Sequence, residues 1–132
     1  MVRIEVKYDG NLRCTATHGP SGNTLITDAP VDNNGKGESF SPTDLLATSM
    51  LTCIMTIVAI RADSKDIDVS GMSGSVEKTM AAKPRRVSKL EVVVNLPSNL
   101  GHEDRAWLIT EGCNCPVCVS VSESMEVDVT FQ

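Results

Sequence analysis

An α+β fold follows from three features of the 132-residue sequence. Segments with strict apolar/polar alternation stand at both ends. One long apolar run lies between them, and two short helical segments separate the last two strands. Residues 2–7, VRIEVK, alternate Val2, Ile4 and Val6 against Arg3, Glu5 and Lys7, so the first strand should turn its valines and isoleucine to a core. Asp9-Gly10 is a hairpin turn signal, and LRCTAT at 12–17 resumes the alternation, with Leu12, Cys14 and Ala16 inward and Arg13, Thr15 and Thr17 outward. TLIT at 24–27 is a short third strand, and the breaker-rich residues 28–40 form a loop.

Ser41 then opens a helix. It suits the N-cap, Pro42 the first helical position, and Asp44 completes an S-x-x-D capping box, with the helix running to about Ala62. Residues 67–80 and 86–96 are read as strands, the clearest face being Leu90, Val92, Val94 and Leu96, with Pro97 as the stop. HEDRAWLITEG is a helix closed by Gly112, and CPVCVSVSE adds another turn or two. MEVDVTF is the last strand, with Met125, Val127, Val129 and Phe131 on one face. The order is βββ-α-ββ-α-α-β in a single domain, 1–132, without repeat or linker.

Composition narrows the function. The net charge of −5 opposes nucleic-acid binding, and KPRR at 83–86 is the only dense basic spot. The uncharged run 45–60 would make about 24 Å of helix, short of the roughly 30 Å of a bilayer core, so no membrane span is expected. No signal-peptide pattern precedes it, and a cytoplasmic protein is the expectation. Apolar residues such as Leu46, Met50, Leu51, Met55, Ile57 and Ile60 surround most of the helix. A helix apolar over most of its girth needs cover on most of its girth, and a second copy of the chain is the economical cover. The sequence therefore predicts a homodimer.

Five cysteines in an unexported chain are not read as a disulfide framework. Cys115 precedes Pro116 and so stands at a helix N-cap, where backbone N–H groups favour thiolate. Cys53 lies some three turns inside the long helix; if reactive, it needs a cation from elsewhere. Three readings compete. Buried cysteines are often inert, and Cys14 on a strand face fits that description. The C-x-C-x-x-C of 113–118 offers three sulfurs to zinc, with Cys53, Cys14, His18 or His102 as a fourth ligand. Thiol redox chemistry is the third, with a local Cys115–Cys118 pair as one version of it.

FSPTDLLATSMLTC at 40–53, with cysteine eleven residues after the proline, and CPV at 115–117 resemble the OsmC/Ohr family of thiol peroxidases. The likeness extends to YDGNLRC at 8–14, TDAP at 27–30 and PRRV at 84–87, and so covers the whole chain. The resemblance implies antiparallel sheets wrapped around long central helices in an intertwined homodimer. It implies reduction of hydroperoxides, often organic, in oxidative-stress defence. Cys53 matches the peroxidatic cysteine and Cys115 the resolving one, and a dithiol reductant of unspecified identity restores both. No metal, flavin or haem is required. In the family a glutamate after the helix proline orients an activating arginine. Here that position is Thr43, with the acid at Asp44, which serves equally as a helix cap. Arg13 is the candidate arginine, and a solvated strand charge is its alternative role. A non-peroxidatic relative, zinc-stabilised or binding an apolar ligand at the dimer interface, is the alternative function.

Overall fold

The computed structural model describes all residues, 1–132. Two compact units, Met1–Leu46 and Ala47–Gln132, divide the chain, and the long helix runs through the division.

In the first unit, β1 (Ile4–Gly10), β2 (Arg13–His18) and β3 (Thr24–Asp28) form an antiparallel sheet in that order. The first turn falls later than Asp9-Gly10. Gly10, Asn11 and Leu12 all have positive φ, and Leu12 leaves the strand alternation altogether. Nor do the apolar residues of β1 face a core within this chain. Val2, Ile4, Val6 and Tyr8 are 62–64% exposed. Alternation reports that one face is apolar, not what covers it. After β3 the chain makes a 3-10 turn, Val31–Asn33, and folds back so tightly that a Cβ on Gly35 would lie 1.7 Å from the Ala29 carbonyl oxygen.

Helix α1 (Pro42–Asp63) begins with the predicted reciprocal cap. Ser41 N–H donates to Asp44 Oδ2 at 2.8 Å, and Asp44 N–H donates to Ser41 Oγ at 3.1 Å. Ala47, Met50, Ile54, Val58 and Ala62, spaced three and four apart, make its buried stripe. Full burial of each of the three larger side chains contributes up to about 1.5–3 kcal/mol.

In the second unit, β4 (Ser73–Ala82), β5 (Arg85–Asn95) and β6 (Glu126–Phe131) form a sheet in that order. Residues 67–72 are turn rather than strand: Asp68 Oδ1 accepts from Ser70 N–H at 2.8 Å, and Met72 N–H donates to Val69 O. The antiparallel expectation holds for every pairing but one, since β6 lies parallel to β5. The helices between those two strands carry the chain back to the starting end, as a parallel pair needs. Leu90, Val92 and Val94 are at most 1% exposed on the inner face. On the outer face Lys89 bridges β5 and β6, with Nζ 2.7 Å from Asp128 Oδ2.

Helix α2 (His102–Cys113) buries Leu108 and Gly112. Arg61 Nε meets Glu111 Oε2 at 2.7 Å, and Lys65 Nζ lies 3.6 Å from the Trp107 ring centroid, fastening α2 to the end of α1. Gly112 is not the predicted helix stop, because α2 continues through Cys113. Its role is close approach: a Cβ there would lie 2.9 Å from Val58 Cγ2 and 3.0 Å from Phe131 Cζ. After Asn114 caps α2, helix α3 (Pro116–Val121) starts with Cys115 as N-cap. Gly112→Ala should therefore destabilise the protein by about 1–3 kcal/mol through overpacking. Urea denaturation checks this, and a midpoint equal to that of the unaltered protein would contradict it.

Candidate active site

The second unit brings the two predicted redox cysteines together. Cys53 lies half-buried near the middle of α1, and Cys115 is fully buried at the N-cap of α3. Pro116, next to Cys115, lines the same pocket as Cys53. The backbone N–H of Val117, in the first turn of α3, is the one group that pulls the Cys53 thiol down. Pro116, at the first helical position, has no N–H to give, so Val117 supplies the first free donor of that helix. The N–H of Cys118 turns to Cys115 instead, at 3.3 Å from Sγ. The donor that Cys53 needed from outside its own helix is thus, within this unit, a backbone amide. Pro116 marked the helix start in the sequence, but nothing there showed that α3 would point at α1.

Electrostatics at Cys53 are divided. Burial pushes its thiol up, the Val117 N–H pulls it down, and the neighbouring Cys115 sulfur adds to the rise. A shallow pocket of about 240 Å³ opens onto the sulfur between Ser49, Thr52, Thr56, Ile57 and Pro116. Hydroxyl-bearing and aliphatic groups line it, with no ionisable side chain other than Cys53 itself. A neutral molecule with an apolar tail and one polar end suits such a lining better than an anion.

Cys118 follows on the first turn of α3. Its backbone N–H donates to Cys115 Sγ, and its thiol donates to Met50 Sδ on α1 at 3.1 Å. Burial first, then Cys115, pushes the Cys118 thiol up to about 12. Cys113 is exposed, and all five cysteines are free thiols. Cys14 is half-buried in β2, opposite Tyr8 and Thr27. No group of three or more Cys, His, Asp or Glu side chains stands in an arrangement that could hold a metal ion.

The remaining site candidates lie in the first unit. Arg13 is not a solvated strand charge: its side chain is one-third exposed and grips two carboxylates. One Nη lies 3.3 Å from Oδ2 of the fully buried Asp28 and also contacts Glu38. Glu38 N–H donates to the same Asp28 oxygen at 2.9 Å. That donor, with Arg13 behind it, holds Asp28 below the usual carboxylate range despite burial. Glu38 and Asp28 in turn raise the Arg13 guanidinium. The sequence proposed Asp44 as its orienting acid; Asp28 and Glu38 hold Arg13, and Asp44 closes the helix cap. Short-range pattern could not have found this clamp, because its acids lie 15 and 25 residues away.

A helix-borne thiol facing an N-cap thiol on an α+β fold defines a protein with a dithiol centre. The chain belongs to the OsmC-like protein family, whose model matches residues 35–130. It is similar over its full length to a Psychrobacter arcticus protein assigned provisionally to osmotic stress induction and detoxification response. That match has 42% identity and a TM-score of 0.94, and covers 96% of the other chain. The fold also matches the organic hydroperoxide resistance protein OsmC of Legionella pneumophila, at 15% identity and a TM-score of 0.80 over 100% of this chain and 96% of that one. OhrB, the organic hydroperoxide resistance protein of Bacillus subtilis, matches at 14% identity and a TM-score of 0.69 over 100% and 98%. No curated protein sequence matches the chain.

The contacts of Cys118 generate a direct test. A raised thiol has less thiolate at any pH below its own value, so it should alkylate slowly until the pH approaches that value. Iodoacetamide labelling of Cys118 should keep accelerating beyond about pH 10, where an ordinary thiol of about 8.5 has already levelled off. Cys115→Ser, which removes part of the cause, should bring that midpoint down. A Cys118 midpoint near 8.5 in the reduced protein would contradict the environment described.

Proposed function

We propose that this protein reduces hydroperoxides, organic ones in particular, by a two-cysteine cycle. The observation that carries the proposal is that Cys53 and Pro116, which follows the N-cap Cys115, line one uncharged pocket. Cys53 thiolate attacks one peroxide oxygen, the O–O bond breaks, and the other oxygen leaves and is protonated to an alcohol. Cys53 is then a sulfenic acid. Cys115 attacks that sulfur, expels hydroxide, which takes up a proton to become water, and forms a Cys53–Cys115 disulfide. An external dithiol reduces the disulfide and is itself oxidised. The cycle uses no metal or organic cofactor, and the reducing cytoplasm would supply the dithiol.

Val117 N–H supports the Cys53 thiolate but opposes only part of the burial cost. Arg13 remains the proposed activating cation, on the strength of the family resemblance. Its guanidinium is held in one orientation by Asp28 and Glu38, a geometry that favours directional donation over bare charge, since the two acids offset its charge.

The functional form is proposed to be a homodimer. Within one chain Ile60 of α1 is 55% exposed, and β1 leaves Ile4, Val6 and Tyr8 more than 60% exposed. Adjacent apolar residues left this open call for a partner surface. Light scattering should give twice the 14.1 kDa chain mass; a stable monomer would contradict this.

Consumption of cumene hydroperoxide with dithiothreitol tests the chemistry. Cys53→Ser should abolish turnover. Arg13→Ala should slow single-turnover oxidation of Cys53 by about 10- to 100-fold, with Arg13→Lys recovering part of the loss. Full turnover by Cys53→Ser would overturn the proposal, and a wild-type rate for Arg13→Ala would move the activating role to another group.

A further inference from the structure

The cycle above leaves Cys118 unused, although its backbone N–H donates to Cys115 Sγ at 3.3 Å. We propose that Cys118 is a third redox cysteine, which takes the disulfide over from Cys53 and presents it to the reductant at a separate opening of the fold. The inference rests on the two-cysteine cycle and extends its second half.

Three geometric facts support it. Cys115 adjoins both: the Cys118 N–H donates to Cys115 Sγ at 3.3 Å, and Pro116, next in the chain, lines the same pocket as Cys53. Cys115 and Cys118 are three residues apart on the first turn of α3, where side chains at that spacing face one another. Finally, Cys53 and Cys118 open onto different cavities. The peroxide-side pocket is lined by Cys53 and Pro116 among others, whereas Cys118 lines a groove of about 420 Å³ with Cys113, Ser122, Met125 and Glu126. The two cavities share no residue.

The exchange balances without an added oxidant. Cys118 thiolate attacks Cys115 Sγ of the Cys53–Cys115 disulfide. The Cys53–Cys115 bond breaks, Cys53 departs as thiolate and takes up the proton Cys118 released, and a Cys115–Cys118 disulfide results. A dithiol then attacks Cys118 Sγ from the groove, Cys115 leaves as thiolate and is protonated, and the second thiol of the reductant resolves the mixed disulfide. Cys53 is thereby free for the next peroxide before the external reductant has acted.

The reduced site also restrains Cys118 until it is needed. Burial is the largest cause that raises the Cys118 thiol, and Cys115, then Cys113 and Cys53, add to it. Once Cys115 is bound to Cys53, the share of those two falls away while that of burial stays.

The test is time-resolved disulfide mapping after one equivalent of cumene hydroperoxide, with acid quench and alkylation. The full chain should show Cys53–Cys115 first and Cys115–Cys118 later. Cys118→Ser and Cys118→Ala should both stop at Cys53–Cys115, and their reduction by dithiothreitol should slow about tenfold or more. Cys14→Ser, in β2 of the other sheet, should cycle at the rate of the unaltered protein. Persistence of Cys53–Cys115 as the only disulfide, with Cys118→Ser reduced as fast as wild type, would overturn the relay and leave the two-cysteine cycle standing. Formation of Cys115–Cys118 at an equal rate in Cys53→Ser would overturn both.

Discussion

A single backbone donor, the Val117 N–H, ties the first turn of α3 to the sulfur in the middle of α1. Its aim depends on features well separated in the chain. Pro116 starts α3 and withholds its own amide, so that Val117 is the first donor. Gly112, with no side chain, lets α2 lie against Val58 and Ile54, one residue from Cys53. Only Asn114 separates the end of α2 from the Cys115 cap, so close packing of α2 dictates where α3 begins.

At Cys53 burial and the Val117 N–H act in opposite directions. Apolar surroundings would suit the greasy hydroperoxide proposed as substrate, but they disfavour the thiolate that the proposed cycle needs. Within the second unit the fold offsets part of that cost with one backbone N–H, that of Val117. The same balance separates the three clustered cysteines. Cys118 bears the heavier burial and no donor to its own sulfur, and stands well above Cys53 in its reluctance to ionise. Identity of residue is shared among them; position on α3 or α1 decides what each can do.

Much of this architecture was legible in the sequence, for local reasons. Ser41-Pro42-Thr43-Asp44 wrote a helix start whose reciprocal hydrogen bonds are present, and Cys115-Pro116 wrote another. The element order followed from periodicity and turn residues. What periodicity could not carry was the environment of each face. Val2, Ile4 and Val6 alternate like core residues yet are exposed in one chain, since alternation says nothing about which chain supplies the cover. The parallel partnering of β6 with β5 depends on the path of α2 and α3, not on any strand's composition. Gly112 looked like a stop signal because a glycine needed for close approach is spelled the same way. The Arg13–Asp28–Glu38 clamp joins residues from a strand, a strand end and a loop, and only the folded backbone brings them together.

The central claim is that Cys53 is the atom that meets the peroxide and that Cys115 is its immediate successor. Sulfenic-acid trapping tests this most directly. In Cys115→Ser, one equivalent of cumene hydroperoxide followed by dimedone should place the adduct on Cys53, located by peptide mass spectrometry, because the resolving thiol that would consume the sulfenate is gone. An adduct confined to Cys113 or Cys118, with Cys53 recovered as a free thiol, would contradict the account.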